Sequence, residues 1–522
     1  MAEMSDAPGD CYLGIDNGTQ GLSVVLTDAN LKRLVTGESS YEFVPDTDAG
    51  CYEQLTDDWD LALTDAMKSV HCYLSEHKSL QIKAIGISGQ MHGEVLVNHE
   101  GQPLSSVRLW CDGRNEDEGE ELTLAFQFKV PKRATCARFL WTARNRPELA
   151  SRVAHITTPA GWMAYRLTGD VVLGIGDASG IFPIDADTLV YDENMLQTFD
   201  NLVGNADIPS MRDILPTVRR AGQDSGVLTQ QGAALLGFQL PPDYPIAIAA
   251  AEGDQVAALA GSLIGRDGIV SCSFGTSVCA NVVSKHGAVE LPVEPSVDHF
   301  CGADGKNIHM VWLRNGTTFF NTMVASYGIL SDKNDAFSAV MPQMLNAAPD
   351  CGGLLALPFM DDEPGLQVSR GGTALLLGLN GNNATPGNIA KAALLSTMFN
   401  LKLGCKILQE NGVVMKELVL TGGLSKSPAC GQILANVFGL PTQLLEAADE
   451  GSCWGAAVLA KYRHLSIGDN GNDWTLFLES IMKEKRIEQT RFEPDFNAVH
   501  EYSKVFDRYQ ILVKLQTQLA NV

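Results

Sequence analysis

Short runs rich in β-branched residues alternate with helix-spaced apolar positions along most of this chain. Strands are predicted at residues 24–26, 84–88, 246–250, 269–272 and 418–421, and helices over 59–74, 388–409 and 498–515. In the last of these, Tyr502, Val505, Phe506, Tyr509, Leu512 and Val513 fall on one face, the spacing of a helix with a single buried side. Alternating strands and helices read as an α/β fold. The 522 residues exceed what one ordinary core holds, so two domains are expected, with a break at Gly265-Arg266-Asp267-Gly268.

The pattern repeats. Tyr12-Leu13-Gly14-Ile15 runs into Asp16-Asn17-Gly18-Thr19-Gln20, and Ile269-Val270-Ser271-Cys272 runs into Ser273-Phe274-Gly275-Thr276-Ser277. Ala84-Ile85-Gly86-Ile87-Ser88-Gly89-Gln90 has a counterpart in Leu418-Val419-Leu420-Thr421-Gly422-Gly423. Glu252-Gly253-Asp254, opening a small-residue helix, matches Glu450-Gly451-Ser452 and the Gly455–Ala460 run after it. Three paired elements in the same order favour an internal duplication. In each Gly-Thr turn, glycine lets the backbone approach a ligand, and the hydroxyl and amides can hold phosphate oxygens.

Composition narrows the function classes. Hydrophobic residues make up 45% and charged residues 19%, a globular balance. The net charge of −24 argues against nucleic acid or an anionic membrane as partner. The first ten residues are polar and acidic, so no secretory signal is expected, and no apolar run reaches the length of a bilayer span. The twelve cysteines form no Cys-x-x-Cys pair, which fits reduced thiols in a cytoplasmic protein better than disulfides or a zinc site. The chain has no Gly-x-x-x-x-Gly-Lys-Ser/Thr loop. Gly174-Ile175-Gly176-Asp177-Ala178-Ser179-Gly180 has the wrong spacing for a dinucleotide loop and is read as a turn.

The candidate chemistry has a plain reading beside each functional one. Asp16 is either a turn-forming residue or a carboxylate that orients a metal at ATP phosphates. Asp254 is either a helix N-cap or a general base for an incoming hydroxyl. His92, between Gly89 and Gly93, is either a bonded structural imidazole or a polyol ligand. Trp110, Asp112 and Arg114 form either a turn or an aromatic wall with an ion pair.

Together these segments resemble the FGGY family of carbohydrate kinases, in the actin/hexokinase-like ATPase superfamily, closest to its xylulokinase branch. The resemblance spans residues 12–509. It is carried by Gly14-x-Asp16-x-Gly18-Thr19, Gly89-Gln90-Met91-His92-Gly93, Leu109-Trp110-Cys111-Asp112-Gly113-Arg114, Asp177-Ala178-Ser179-Gly180, Gly253-Asp254-Gln255, Gly275-Thr276-Ser277 and Thr421-Gly422-Gly423-Leu424-Ser425.

The resemblance implies two ribonuclease-H-like domains with a cleft between them: 11–265 for the sugar and 266–515 for ATP. It implies Asp254 as catalytic base, and Met91, His92, Asp254 and Gln255 as sugar ligands. Gly18, Thr19, Gln20, Gly275, Thr276, Ser277, Gly422, Gly423 and Ser425 would bind ATP, and Asp16 would serve Mg²⁺. The implied reaction is phosphorylation of a ketose, D-xylulose first, with ribulose, glycerol or a non-catalytic regulator as alternatives. A homodimer is left open. The chain departs from the family pattern at Ser23, Cys111, residues 159–162 and Met360-Asp361-Asp362-Glu363-Pro364-Gly365.

Overall fold

The computed structural model describes residues 9–45, 47–287, 291–327, 333–445, 451–468, 473–484 and 489–519. Glu450, one half of a repeat noted above, lies outside them. In the first half the site is framed by β1 (Asp10–Asn17), β2 (Gly21–Asp28), β3 (Arg33–Ser40), α1 (Thr56–Glu76), β4 (Gln81–Gly89), α2 (Pro159–Thr168), α3 (Ile175–Ile181), β5 (Ala247–Ile248), β6 (Glu252–Gly253) and α4 (Asp254–Gly261). In the second half the frame is β7 (Ile269–Phe274), β8 (Val278–Ser284), β9 (Val297–Cys301), β10 (Asn307–Leu313), α5 (Pro386–Glu410), β11 (Glu417–Gly422), β12 (Thr442–Leu445), α6 (Gly451–Leu465), β13 (Gln489–Phe492) and α7 (Phe496–Leu519).

The first sheet runs β5–β4–β1–β2–β3, with β6 also on β4; the second runs β9–β10–β8–β7–β11–β12–β13. Each centres on an antiparallel hairpin flanked by a parallel strand: β1 with β2 and β4, β7 with β8 and β11. The registers correspond residue by residue. Asp16 lies between Ser23 and Ser88, and Ser273 between Cys279 and Thr421. The duplication suggested by the repeats is therefore present in the pairing.

The predicted helices at 59–74, 388–409 and 498–515 lie within α1, α5 and α7. Thr385 caps α5 by accepting the Asn388 N–H, and Pro386 occupies the first turn, where a missing N–H costs nothing. Of the strand predicted at 246–250 only the two-residue pairing β5 is strand, and a second short pairing, β6, follows it; both run parallel to β4. The glycine-rich run after Gly174 is not a turn but the helix α3. Its small residues let that helix be gripped from several sides, as described below.

Two hydrophobic cores, one per sheet, are joined by a third that combines α4 and α6 with residues from both sheets. The two small-residue helices pack on each other: a Cβ on Gly455 would lie 1.9 Å from the Ala257 carbonyl oxygen. Helix α6, from the second half, also seats on the first sheet. A Cβ on Gly14 would stand 2.1 Å from the Cys453 oxygen, and one on Gly86 1.8 Å from the Ala456 oxygen. Backbone-to-backbone packing this close requires glycine. Among the described residues no helix is long and apolar enough to cross a membrane.

Candidate active site

The first Gly-Thr turn ends β1 and is held from four directions. The Tyr41 hydroxyl lies 2.7 Å from Asn17 Oδ1 and 2.5 Å from the Gly18 oxygen, bridging the two with its single proton. Gln54 Nε2 donates to the Thr19 oxygen (2.7 Å), and Gln90 Nε2 to the Gly18 oxygen (3.3 Å) and Gln54 Oε1 (2.9 Å). The Thr19 hydroxyl donates to Gln90 Oε1 and accepts from Trp110 Nε1 at 3.0 Å, so the protein already uses it in both directions. Gln20 is exposed beside it. Asp112 and Arg114 form the ion pair foreseen from sequence, extended by Glu53, while the indole of Trp110 stands half-exposed above the turn.

Asp16 points out of the end of β1 toward α6, where the Ser452 hydroxyl donates to its Oδ2 (2.5 Å). Its Oδ1 is buried without a hydrogen-bond partner among the described residues. Burial holds this carboxyl above the usual range, and the Ser452 hydroxyl, with that of Ser88 on the neighbouring strand, offsets part of that. An unpartnered buried carboxylate oxygen beside a phosphate-type turn suits a hard divalent cation, which takes oxygen ligands.

Asp254 is the first residue of α4, and Gly253, not Asp254, is the N-cap. Burial first, then the Asp16 charge, pushes its carboxyl up to about 7, while the Gln255 N–H and the Arg133 guanidinium pull the other way. Met91 is buried against Gly253, where a Cβ would fall 2.2 Å from Met91 Cγ.

His92 has φ +67°, a strained backbone for a non-glycine residue of the kind that clusters at functional sites. Its Nδ1 lies 3.0 Å from the Gly180 oxygen. A carbonyl only accepts, so Nδ1 carries the proton and Nε2 is left as an acceptor. Burial, reinforced by Arg133, pushes the imidazole down to about 3, so it is neutral at physiological pH. The neighbouring glycines serve packing: a Cβ on Gly93 would lie 2.7 Å from the Pro159 ring and one on Gly89 3.0 Å from the Ala160 nitrogen, both in the first turn of α2.

The second Gly-Thr turn ends β7. Its Gly275 and Thr276 carbonyls accept from the Thr317 and Gly316 N–H groups at 2.8 and 2.9 Å, and Ser277 closes it through its own carbonyl to the Gly275 N–H. Behind it the divergent 360–365 loop is anchored by Glu363, whose buried carboxyl accepts the Asn315 N–H at 2.9 Å. Gly422, at φ +74°, ends the adjacent strand, and the Ser425 hydroxyl bonds back to its oxygen at 2.7 Å. The exposed turn Gly275-Thr276 and the exposed pair Gly422-Gly423 therefore share one end of the second sheet.

Read from sequence alone, Glu252, Asp177 and Arg133 have no assigned role at the site. Glu252 and Asp177 are fully buried: Thr158 donates to Asp177 Oδ2 at 2.5 Å, and burial pushes Asp177 up to about 8. Acids inside small or apolar runs are a usable sign of burial. Arg133 reaches the same site and pairs with Asp298 of β9, yet its Pro131-Lys132-Arg133 run reads as an ordinary solvated charge cluster.

Two family models cover this architecture: the N-terminal domain of the FGGY family of carbohydrate kinases matches residues 11–261, and the C-terminal domain matches 270–464. The chain belongs to the FGGY family of carbohydrate kinases. Among curated proteins it is 27% identical over 516 residues to a xylulose kinase of Haemophilus influenzae, covering 95% of this chain and 98% of that one. Among solved structures, a xylulose kinase from Rhodospirillum rubrum matches with a TM-score of 0.81 at 18% identity, covering 98% of this chain and all of the other. A Plasmodium falciparum glycerol kinase with ADP matches with a TM-score of 0.76 at 20% identity, over 96% and 97% of the two chains. The protein is thus a sugar kinase with the two-domain actin/hexokinase-like fold, and sugar and ATP are the substrates the family implies. FGGY kinases work with ATP and a divalent metal.

Proposed function

We propose that this FGGY kinase phosphorylates the terminal hydroxyl of an open-chain ketose, D-xylulose in the first instance, giving D-xylulose 5-phosphate. Residues 11–265 would bind the sugar and 266–515 the nucleotide. The observation that carries the reading is the pairing of two proton acceptors on neighbouring segments. The neutral His92 offers Nε2 to a sugar hydroxyl, and the Asp254 carboxyl, near pH 7 in its titration, can take up a proton. The xylulose kinases among its relatives support the ketose over glycerol.

In this reading Met91, His92 and Gln255 hold the sugar while Asp254 accepts the proton of its terminal hydroxyl. The freed oxygen electron pair forms a bond to the γ-phosphorus as the bond to the ADP oxygen breaks and ADP leaves with that pair. Gly18, Thr19 and Gln20 on the first turn, Gly275, Thr276 and Ser277 on the second, and Gly422, Gly423 and Ser425 would line the nucleotide. Asp16 would hold Mg²⁺, which neutralises phosphate charge when bound. The α4 N-terminus adds a positive dipole end under the ionised Asp254.

A coupled ADP-release assay over ketoses, pentitols and glycerol tests the assignment. Preference for D-xylulose is expected. Preference for glycerol overturns the ketose reading, and ligand binding without ADP release from any member favours a regulator.

A further inference from the structure

The buried carboxyl group of Glu252 has no part in the reaction described above, yet it lies two residues before Asp254 and is completely enclosed; burial, then the neighbouring Asp177 charge, holds it well above the usual carboxylate range. Its Oε2 accepts the Asp177 N–H at 2.9 Å and its Oε1 the Gly176 N–H at 3.3 Å, the first free amides of α3. Those amides have no partner inside their own helix, so the two Glu252 oxygens complete it. The seat is built for that group. A Cβ on Gly174 would stand 2.4 Å from Glu252 Cδ, and one on Gly176 2.5 Å from Oε2.

The other end of α3 reaches the sugar side. Gly180, its next-to-last residue, accepts the His92 Nδ1–H, and a Cβ there would sit 3.0 Å from Nδ1 and 3.2 Å from Met91 Cε. Seven residues of helix are only about 10 Å long, too short to bend appreciably between the two contacts. Within the same helix the Ser179 hydroxyl accepts the Cys301 N–H of β9 at 2.9 Å, which ties it to the second domain as well. Gly253, between Glu252 and Asp254, lies flat against Met91 and is 3.2 Å, at its would-be Cβ, from Asp177 Oδ1.

We propose that Glu252 is a positioning residue that sets Asp254 and His92 relative to each other, through the short helix Ile175–Ile181. The proposal rests on the reading of Asp254 as base and His92 as sugar ligand. Its backbone leads directly into Asp254, and its side chain fixes the helix whose far end orients the imidazole. Displacing the Glu252 carboxyl group moves the proton acceptor and the hydroxyl acceptor out of register while leaving both Gly-Thr turns untouched. Glu252 touches no reacting atom and acts only through these two neighbours.

The test is Glu252→Gln, which keeps the shape but sets an amide N–H₂ against one of the two helix N–H groups. We expect kcat/KM for the sugar to fall at least tenfold with an increased sugar KM, while the ATP KM stays within twofold. Gly180→Ala, at the other end of the helix, is expected to give the same split. In a His92→Gln background, Glu252→Gln should cost several-fold less than in the wild type. In the sugar-free, nucleotide-free protein, ¹⁵N spectra of the His92 ring should show the Nδ1–H tautomer in the wild type and its loss in Glu252→Gln.

Equal losses in the sugar and ATP parameters would reduce Glu252 to a core residue and overturn the proposal. So would unchanged sugar kinetics with an unchanged ring spectrum. A wild-type protein that phosphorylates no sugar would overturn the functional reading instead, and the ring spectrum would still decide the role of Glu252. If Glu252→Gln does not accumulate as folded protein, Gly180→Ala with the same kinetic and spectral readouts decides.

Discussion

Arg133 of the first domain and Asp298 on β9 of the second form an ion pair between the two halves of the chain. Both side chains are largely enclosed, at 23% and 13% exposure, so the pair is screened less than a surface pair. Arg133 also lowers the proton affinity of Asp254 and His92. One cation thus links domain approach to the charge state of the proposed base.

Arg133→Met should therefore move the kcat/KM profile to higher pH, because the cation that favoured ionised Asp254 is gone. Asp298→Asn leaves the cation but loosens the domain contact, so it should raise the sugar KM with a smaller shift in the profile. The contact itself is worth on the order of 1–2 kcal/mol, between the exposed and fully buried cases. Paired pH-rate profiles of the two variants separate the electrostatic from the mechanical contribution.

Asp254→Asn should lower kcat by about 10²–10⁴-fold, the usual contribution of a general base, with ATP binding retained. In the wild type, kcat/KM should rise with pH through about 7, since the base works only when ionised. A cation beside Asp16 draws that midpoint downward, because opposite charge favours the carboxylate. Rates collected from pH 5.5 to 9 at fixed metal concentration check the direction.

The buried acids carry a stability signature of the opposite sense. A carboxyl raised to about 8, as in Asp177, binds its proton more tightly folded than unfolded. Stability is then greatest below the ordinary carboxylate pKa and falls as pH rises from there through about 8. Asp177→Asn should flatten part of that decline and unfold at a higher temperature than the wild type at pH 8.5, but not at pH 4. Thermal melts with chelator present at the two pH values test it.

The helix pair between the sheets leaves no room for a methyl group. Gly86→Ala and Gly455→Ala each press a Cβ to within 2 Å of a backbone carbonyl oxygen, 1.8 and 1.9 Å respectively. Overpacking of this kind costs about 1–3 kcal/mol, and more where only backbone can yield. Gly381→Ala, with nothing within 4 Å of its would-be Cβ, should stay within about 0.5 kcal/mol of the wild type in urea unfolding.

Tyr41→Phe removes the hydroxyl that ties down Asn17 and Gly18. The loss should cost about 1 kcal/mol and raise the ATP KM several-fold, with the sugar KM nearly unchanged. A larger effect on the sugar would detach the first turn from the nucleotide.

Much of the fold could be read from the chain because its cues are local. Strand-to-turn transitions at Ile15–Gly18 and Cys272–Gly275 are written in neighbouring residues, and the repeat of Ser88-Gly89 as Thr421-Gly422 reappears as equivalent register in both sheets. The helix around Asp177 was misread because glycine and alanine weaken a helical pattern whose stability comes from its surroundings. Glu252 supplies those surroundings from 75 residues away.

The α/β alternation, the duplicated Gly-Thr turns and an acid at position 254 ahead of a small-residue helix are all legible in the residue pattern alone. Periodicity specifies which face of an element is buried, but not what covers it. Packing brought α6 across to the first sheet, set Ser452 on Asp16 at a separation of 436 positions, and joined Arg133 to Asp298. It also leaves His92 hydrogen-bonded to Gly180, its imidazole pushed down to about 3, and passes the N-cap from Asp254 to Gly253, with the Asp254 carboxyl pushed up to about 7. Those properties come from desolvation and from neighbours far along the chain, and no local pattern of residues encodes either.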